Sequence, residues 1–145
     1  MHIRVLPPNI PKVWEAVKYA VVQLDEIPNE QLPDYFVWLL QQLLSEKAQC
    51  WITLNEDRVL LNVSITRITT HPFTKEKVLH IQCLYAFQGL TDTTVAEALS
   101  LYKEFAKSVG CRTVTGASRH PRACTLMEKH HFQPEYKTYT LAAEG

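Results

Sequence analysis

The sequence predicts a mixed α/β (α+β) fold with an antiparallel meander in its middle. Apolar residues recur at helical spacing in three long segments, roughly 13–24, 33–47 and 95–109. Between the second and third, the spacing changes to alternation over three shorter runs. A stripe every three to four residues buries one side of a helix, whereas alternation buries one side of a strand.

Taken in order, Ile3 to Leu6 reads as a short first strand closed by Pro7-Pro8. Asn9 is a good N-cap and Pro11 is tolerated in a first helical turn. Val13, Trp14, Val17, Ala20, Val21 and Leu24 then mark one helical stripe, broken by Ile27-Pro28-Asn29. A second helix runs from about Pro33 to Lys47, with Phe36, Leu39, Leu40, Leu43 and Leu44 on its buried side. Cys50 to Leu54 is a strand, and Asn55-Glu56-Asp57 turns it into a longer strand in which Val59, Leu61, Val63 and Ile65 alternate with Leu60, Asn62, Ser64 and Thr66. After the loop His71-Pro72-Phe73-Thr74-Lys75, a third strand from Val78 to Phe87 puts Leu79, Ile81, Cys83, Tyr85 and Phe87 on one face. His80, Gln82, Leu84 and Ala86 fall on the other. Asp92 is placed to cap a helix whose stripe is Val95, Leu99, Tyr102, Ala106 and Val109, and Gly110 stops it. Cys111 to Ala117 is a strand, Pro121 to His131 a short helix, and Glu135 to Leu141 a last strand rich in Tyr and Thr. No linker or repeat divides the 145 residues, so one domain over 1–145 is expected.

Composition narrows the function classes. A 46% hydrophobic and 21% charged chain is an ordinary globule. Fifteen basic against fifteen acidic side chains give no net field, which argues against nucleic-acid or anionic-membrane partners. No apolar run approaches the ~20 residues of a membrane span. The opening residues lack a signal peptide's apolar stretch, so a cytoplasmic location is expected. Four widely spaced cysteines, Cys50, Cys83, Cys111 and Cys124, form no Cys-x-x-Cys pair and read as reduced, mostly buried thiols. Charge is nevertheless uneven. Asp25, Glu26, Glu30 and Asp34 crowd the connection after the first helix, and basic residues dominate the last third. These are either two solvated surfaces, or an acidic rim for a cationic acceptor and a basic side for phosphates.

The junction Gln88-Gly89-Leu90-Thr91-Asp92-Thr93-Thr94 joins a strand to a helix, the place where free backbone N–H groups meet an anion. It carries one glycine and no Lys or Arg.

The order strand, two helices, three strands, helix, strand, helix, strand resembles the GCN5-related N-acetyltransferase (GNAT) fold over nearly the whole chain. The segment Arg119 to Phe132 is similar to that family's late helix, with Ala123, Leu126 and Phe132 matching. His120 stands where Asn is usual, Met127 where Tyr is usual and His131 where Gly is usual. The resemblance implies acetyl-CoA as cofactor, held around Tyr85, Phe87, Gln88, Gly89, Thr91, Thr93, Thr94 and His120. It also implies an acceptor cleft beside the strand bearing His80. Two departures stand against acetyl transfer. The loop's glycine is out of register, with Leu90 and Thr91 where small residues are needed and Asp92 beside a pyrophosphate. Met127 cannot protonate a leaving thiolate. Short GNAT-like proteins with degraded loops are also encoded by tailed bacteriophages, and this chain resembles them in size and in its ending.

Among individual residues, His80 is a candidate general base, although a packed or solvated histidine is the commoner case. Tyr136 is a candidate replacement acid, although Tyr is at home on any strand. Cys124, four residues after His120, reads as an inert thiol, and two ligands make no zinc site. His130 and His131 lie ~100° apart on a helix and cannot share an ion. They read as a C-terminal cap and a packing residue. Trp14, Trp38 and Trp51 read as core or interface anchors. Two classes follow. The first is a non-catalytic GNAT-like module, taken as a phage assembly or virion-associated protein whose partners are phage or host proteins. The second is an active N-acetyltransferase using His80 or Tyr136. The loop and Met127 favour the first.

Overall fold

The computed structural model describes residues 1–89, 91–118 and 120–143; Leu90 and Arg119 of the sequence reading lie outside them. Its elements are β1 (His2–Val5), α1 (Ile10–Leu24), α2 (Leu32–Leu44), β2 (Ala48–Leu54), β3 (Leu60–Thr70), β4 (Lys77–Ala86), α3 (Asp92–Ser108), β5 (Thr113–Gly116) and α4 (Pro121–Lys129). The strands form one sheet in the order β1-β2-β3-β4-β5. Neighbours are antiparallel as far as β4, and β5 runs parallel to β4. A parallel neighbour needs a crossover, and α3 supplies it.

Each face of the sheet has its own core. Ile10, Val17, Ala20 and Val21 of α1, with Leu39 and Leu43 of α2, pack on Val5, Cys50, Ile52, Val63, Ile65 and Cys83. On the other face Val95, Leu99, Tyr102 and Ala106 of α3 pack on Trp51 and Leu79, with Leu126 and Phe132 at the margin. Tyr102 is fully buried and its hydroxyl bonds the Ser64 hydroxyl. Expected burial fails at Leu44, which is exposed. Leu39 and Leu43, four apart, take the inward line, and Leu44 lies ~100° further round at the last helical position.

Two helix ends are built differently from expectation. Asn9 occupies the N-cap position of α1 but its side chain makes no capping bond. At α3, Thr91 and not Asp92 is the N-cap: its Oγ1 accepts the Thr94 N–H at 3.2 Å. An N-cap needs extended backbone ahead of the first turn, and Thr91 has it (φ −103°, ψ 155°). Gly110 closes the same helix at φ +79°, with Cys111 N–H donating to Ala106 and Gly110 N–H to Lys107. That bond pair requires the left-handed residue glycine supplies.

The largest departure within the meander is a bulge. Ile65 pairs with Cys83 but Thr66 pairs with Ile81, so Gln82 is an extra residue in β4. An extra residue resets which face the following side chains take. Leu79 and Ile81 accordingly pack with α3, whereas Cys83 and Tyr85 pack with α1 and α2. The single face expected for Leu79 through Phe87 is therefore split.

The expected last strand, Glu135 to Leu141, does not form. The segment is held to the loop before β4: Glu135 Oε2 lies 2.8 Å from His71 Nε2, and Tyr136 packs edge-on against Phe73 at 5.0 Å. Tyr139 and Leu141 are 85% and 94% exposed. Tyr and Thr favour strands only where a neighbouring strand receives them.

Candidate functional site

The site begins where β4 leaves β5. The two strands pair only from Val78 with Thr113 to Ile81 with Gly116, although β4 continues to Ala86. The bulge at Gln82 falls at the parting and bends β4 away. Phe87 N–H donates to Leu61 O on the β3 side. Antiparallel pairing alternates, so Tyr85 and Cys83 also turn their amides to β3. Leu84 and Ala86 then turn theirs toward the side β5 has left. The fork is thus lined by a backbone edge that no strand among the described residues pairs, suited to an extended, amide-bearing ligand. Gly116 sits at its floor beneath α4, where a Cβ would come within 2.9 Å of Met127 Sδ.

His80 stands two residues before the bulge. It is half-buried, pairs across the sheet with Arg67, and its Nδ1 lies 3.0 Å from Thr115 Oγ1. Burial, helped by the Arg67 charge, lowers its pKa below the ordinary value. The ring is therefore neutral at neutral pH. In the tautomer whose Nδ1–H donates to Thr115 Oγ1, Nε2 presents a lone pair, and no protein atom among the described residues bonds it.

On the same face a polar cluster joins three elements. Tyr35 of α2 donates to Asp25 Oδ2 at 2.6 Å, and Gln82 Nε2 donates to the Tyr35 hydroxyl at 2.6 Å and to Asp25 at 3.3 Å. Burial and the Asp25 bond push the Tyr35 pKa up strongly, so it stays a donor. The Arg67 guanidinium lies 5.4 Å over the Trp38 ring. Arg67 Nε and Gln82 Oε1 are both buried without a hydrogen-bond partner. Outside the cluster, Glu26, Asp34, Tyr35 and Trp38 line an open hollow at the α1–α2 connection. His120, at the N-cap of α4, faces this rim with Nε2 3.8 Å from Glu26 Oε1. The acidic side of the sequence thus borders the face that carries His80.

The residues assigned to a cofactor fall into two groups. Tyr85 and Phe87 face α1, where Tyr19 stacks on Phe87 at 6.0 Å and meets Tyr85 edge-on. Their side chains make an aromatic wall with Tyr19 on the α1 side of the sheet. Gln88 is exposed, Gly89 takes φ +88°, and Thr91, Thr93 and Thr94 form the cap and first turn of α3. There Asp92 is tied to α4: its carboxylate lies 2.6 Å from Lys129 Nζ and 3.6 Å from His130 Nε2. His130 is the C-cap of α4, as expected, and also reaches α3. Tyr136 stays against His71 and Phe73, and no contact among the described residues joins it to His80. Cys124 is half-buried, with Sγ 3.4 Å from Ser118 O. No group of His, Cys, Asp or Glu among the described residues is arranged to hold a metal, and no helix there is long and apolar enough to cross a membrane.

The sequence reading missed Arg67, Thr115 and the bond network of Asp25, Tyr35 and Gln82. Thr115 had one legible signal, a polar residue within the strand read over Cys111 to Ala117.

No family model and no curated protein matches the sequence. Solved structures match the fold. A predicted acetyltransferase from Clostridium acetobutylicum, solved with acetyl-CoA, superposes with a TM-score of 0.75 at 13% identity, over 98% of this chain and 95% of that one. The aminoglycoside N-acetyltransferase AAC(6')-Iy, solved with the bisubstrate analogue CoA-S-monomethyl-acetylneamine, gives 0.73 at 9% identity over 100% and 98%. The ribosomal-protein-alanine N-acetyltransferase of Brucella melitensis gives 0.68 at 11% over 98% and 99%. The five-stranded sheet with four helices is a GNAT-type acetyltransferase fold.

Proposed function

We propose that the protein is an N-acyltransferase that moves an acyl group from a pantetheine thioester of the acetyl-CoA class to a cationic amine. The observation that carries this is the fork between β4 and β5, with a neutral His80 at its base. The Leu84 and Ala86 backbone would hold the amides of the pantetheine arm, and the acyl carbonyl would enter beside Gly116. When bound, the thioester supplies an activated acyl carbon. The acidic rim gathers the ammonium form of the acceptor, and His80 Nε2 takes its proton. The amine nitrogen would then bond the carbonyl carbon as the C–S bond breaks, with the nitrogen's second proton passing to the departing thiolate and His80 releasing the first to water. Met127 donates none. The acetyl-CoA and CoA-analogue complexes of the neighbouring folds support this reading.

A non-catalytic role in phage assembly rests on residues 88–94, Met127 and a resemblance in size and ending, and is the reading a failed titration would leave. The test is calorimetric titration with acetyl-CoA and with S-acetyl-pantetheine, each followed by melting. A real site stabilises the fold by ~2.7 kcal/mol at a hundredfold excess of ligand over Kd. Acetylation of a diamine should then fall at least tenfold in His80→Gln without loss of binding. No heat and no shift in melting with either acetyl-CoA or S-acetyl-pantetheine at millimolar concentration would overturn the proposal.

A further inference from the structure

The start of α3 is where the nucleotide end of CoA would have to lie, since the thioester arm enters along β4 and the strand leads directly into that helix. That position already holds an anion of the chain's own. Asp92 occupies the first helical position, in a turn whose Thr94 N–H is already taken by the Thr91 hydroxyl, and α4 delivers Lys129 at 2.6 Å and His130 at 3.6 Å to its carboxylate. Lys129 holds the carboxyl below the ordinary range, so it is ionised at neutral pH. The free edge at Leu84 and Ala86 is untouched by this arrangement. The two halves of the donor site therefore differ: the pantetheine half is open, and the diphosphate half is electrostatically satisfied from within.

We propose that Asp92 sets donor specificity, its carboxylate taking with Lys129 and His130 the place of a diphosphate, so that the protein prefers pantetheine thioesters lacking the nucleotide. The inference rests on the acyl-transfer reading above. A diphosphate approaching α3 meets like charge from Asp92 and must compete for Lys129. A nucleotide-free thioester meets neither. An oxygen acceptor that keeps the shape but not the charge should reverse the preference.

The experiment titrates the full chain, as wild type, Asp92→Asn and Lys129→Ala, with S-acetyl-pantetheine and with acetyl-CoA. Wild type should bind S-acetyl-pantetheine at least as tightly as acetyl-CoA. Asp92→Asn should tighten acetyl-CoA by about tenfold and leave S-acetyl-pantetheine within about twofold, the size expected for one unscreened charge near a surface. Lys129→Ala, which leaves the carboxylate unopposed, should weaken acetyl-CoA alone. Asp92 is exposed and the helix keeps its Thr91 cap, so both variants should melt close to wild type. An unchanged ratio of the two affinities in Asp92→Asn overturns the inference while leaving acyl transfer standing. Failure of both donors to bind any of the three proteins overturns acyl transfer itself.

Discussion

Replacing Tyr35 by Phe tests the polar cluster that ties the α1–α2 connection to the bulge. The substitution removes one hydroxyl and keeps the ring, which packs against Phe36 and Trp38 at centroid distances of 6.3 and 5.7 Å. Two hydrogen bonds go with it: the one donated to the Asp25 carboxylate and the one accepted from Gln82, each 2.6 Å. A bond to a charged group contributes about 1.5–3 kcal/mol and a neutral one about 1 kcal/mol. Asp25 is half-exposed and regains water, which favours the lower end, so the expected loss is about 2 kcal/mol. At roughly 2–4 °C per kcal/mol for a domain of this size, the melting temperature should drop by roughly 4–8 °C. Thermal melts of Tyr35→Phe, Asp25→Asn and the double variant complete a cycle, in which the pair should couple by more than about 0.5 kcal/mol. Strict additivity, or a Tyr35→Phe melt within ~1 °C of wild type, well under the expected shift, would show that these groups do not form a bonded unit.

Further predictions concern local backbone and titration. Gly110→Ala should cost about 1–2 kcal/mol in a denaturant melt, because φ +79° is strained for alanine although nothing lies within 4 Å of the new Cβ. Thr91→Ala should cost about 1 kcal/mol by the same measurement, whereas Asp92→Ala should not show a cap loss, since Thr91 makes the capping bond. His80 has a lowered folded pKa, so its contribution to stability is complete above about pH 6.5 and is lost as pH falls toward the folded value. Stability measured against pH should therefore decline below about 6.5, and His80→Gln should flatten that part of the curve.

Helices and meander were legible because burial writes itself into spacing. Val17, Ala20 and Val21, or Leu39 and Leu43, recur at the spacing that sets one side of a helix on the sheet. The bulge was not legible, since an inserted Gln82 leaves the letters alternating while the faces exchange. His80 and Gln82 were picked out as sharing a face, but their partners Asp25, Tyr35, Arg67 and Thr115 come from α1's end, α2, β3 and β5. Local pattern says nothing about such convergence. The last strand failed for a related reason: residues 135–141 have strand composition, but Glu135 and Tyr136 are held by His71 and Phe73 in a loop. Thr91 lost the cap to Asp92 in the reading because both residue types cap well, and only the backbone angle separates them.

The central claim is that the open edge of β4 holds the donor's pantetheine arm. Amide hydrogen exchange at Leu84 and Ala86, read by NMR with and without a saturating pantetheine thioester, tests it directly. The account predicts that both amides become protected on binding, while Tyr85, already bonded to β3, changes little. Equal exchange at Leu84 and Ala86 with and without bound ligand would contradict it.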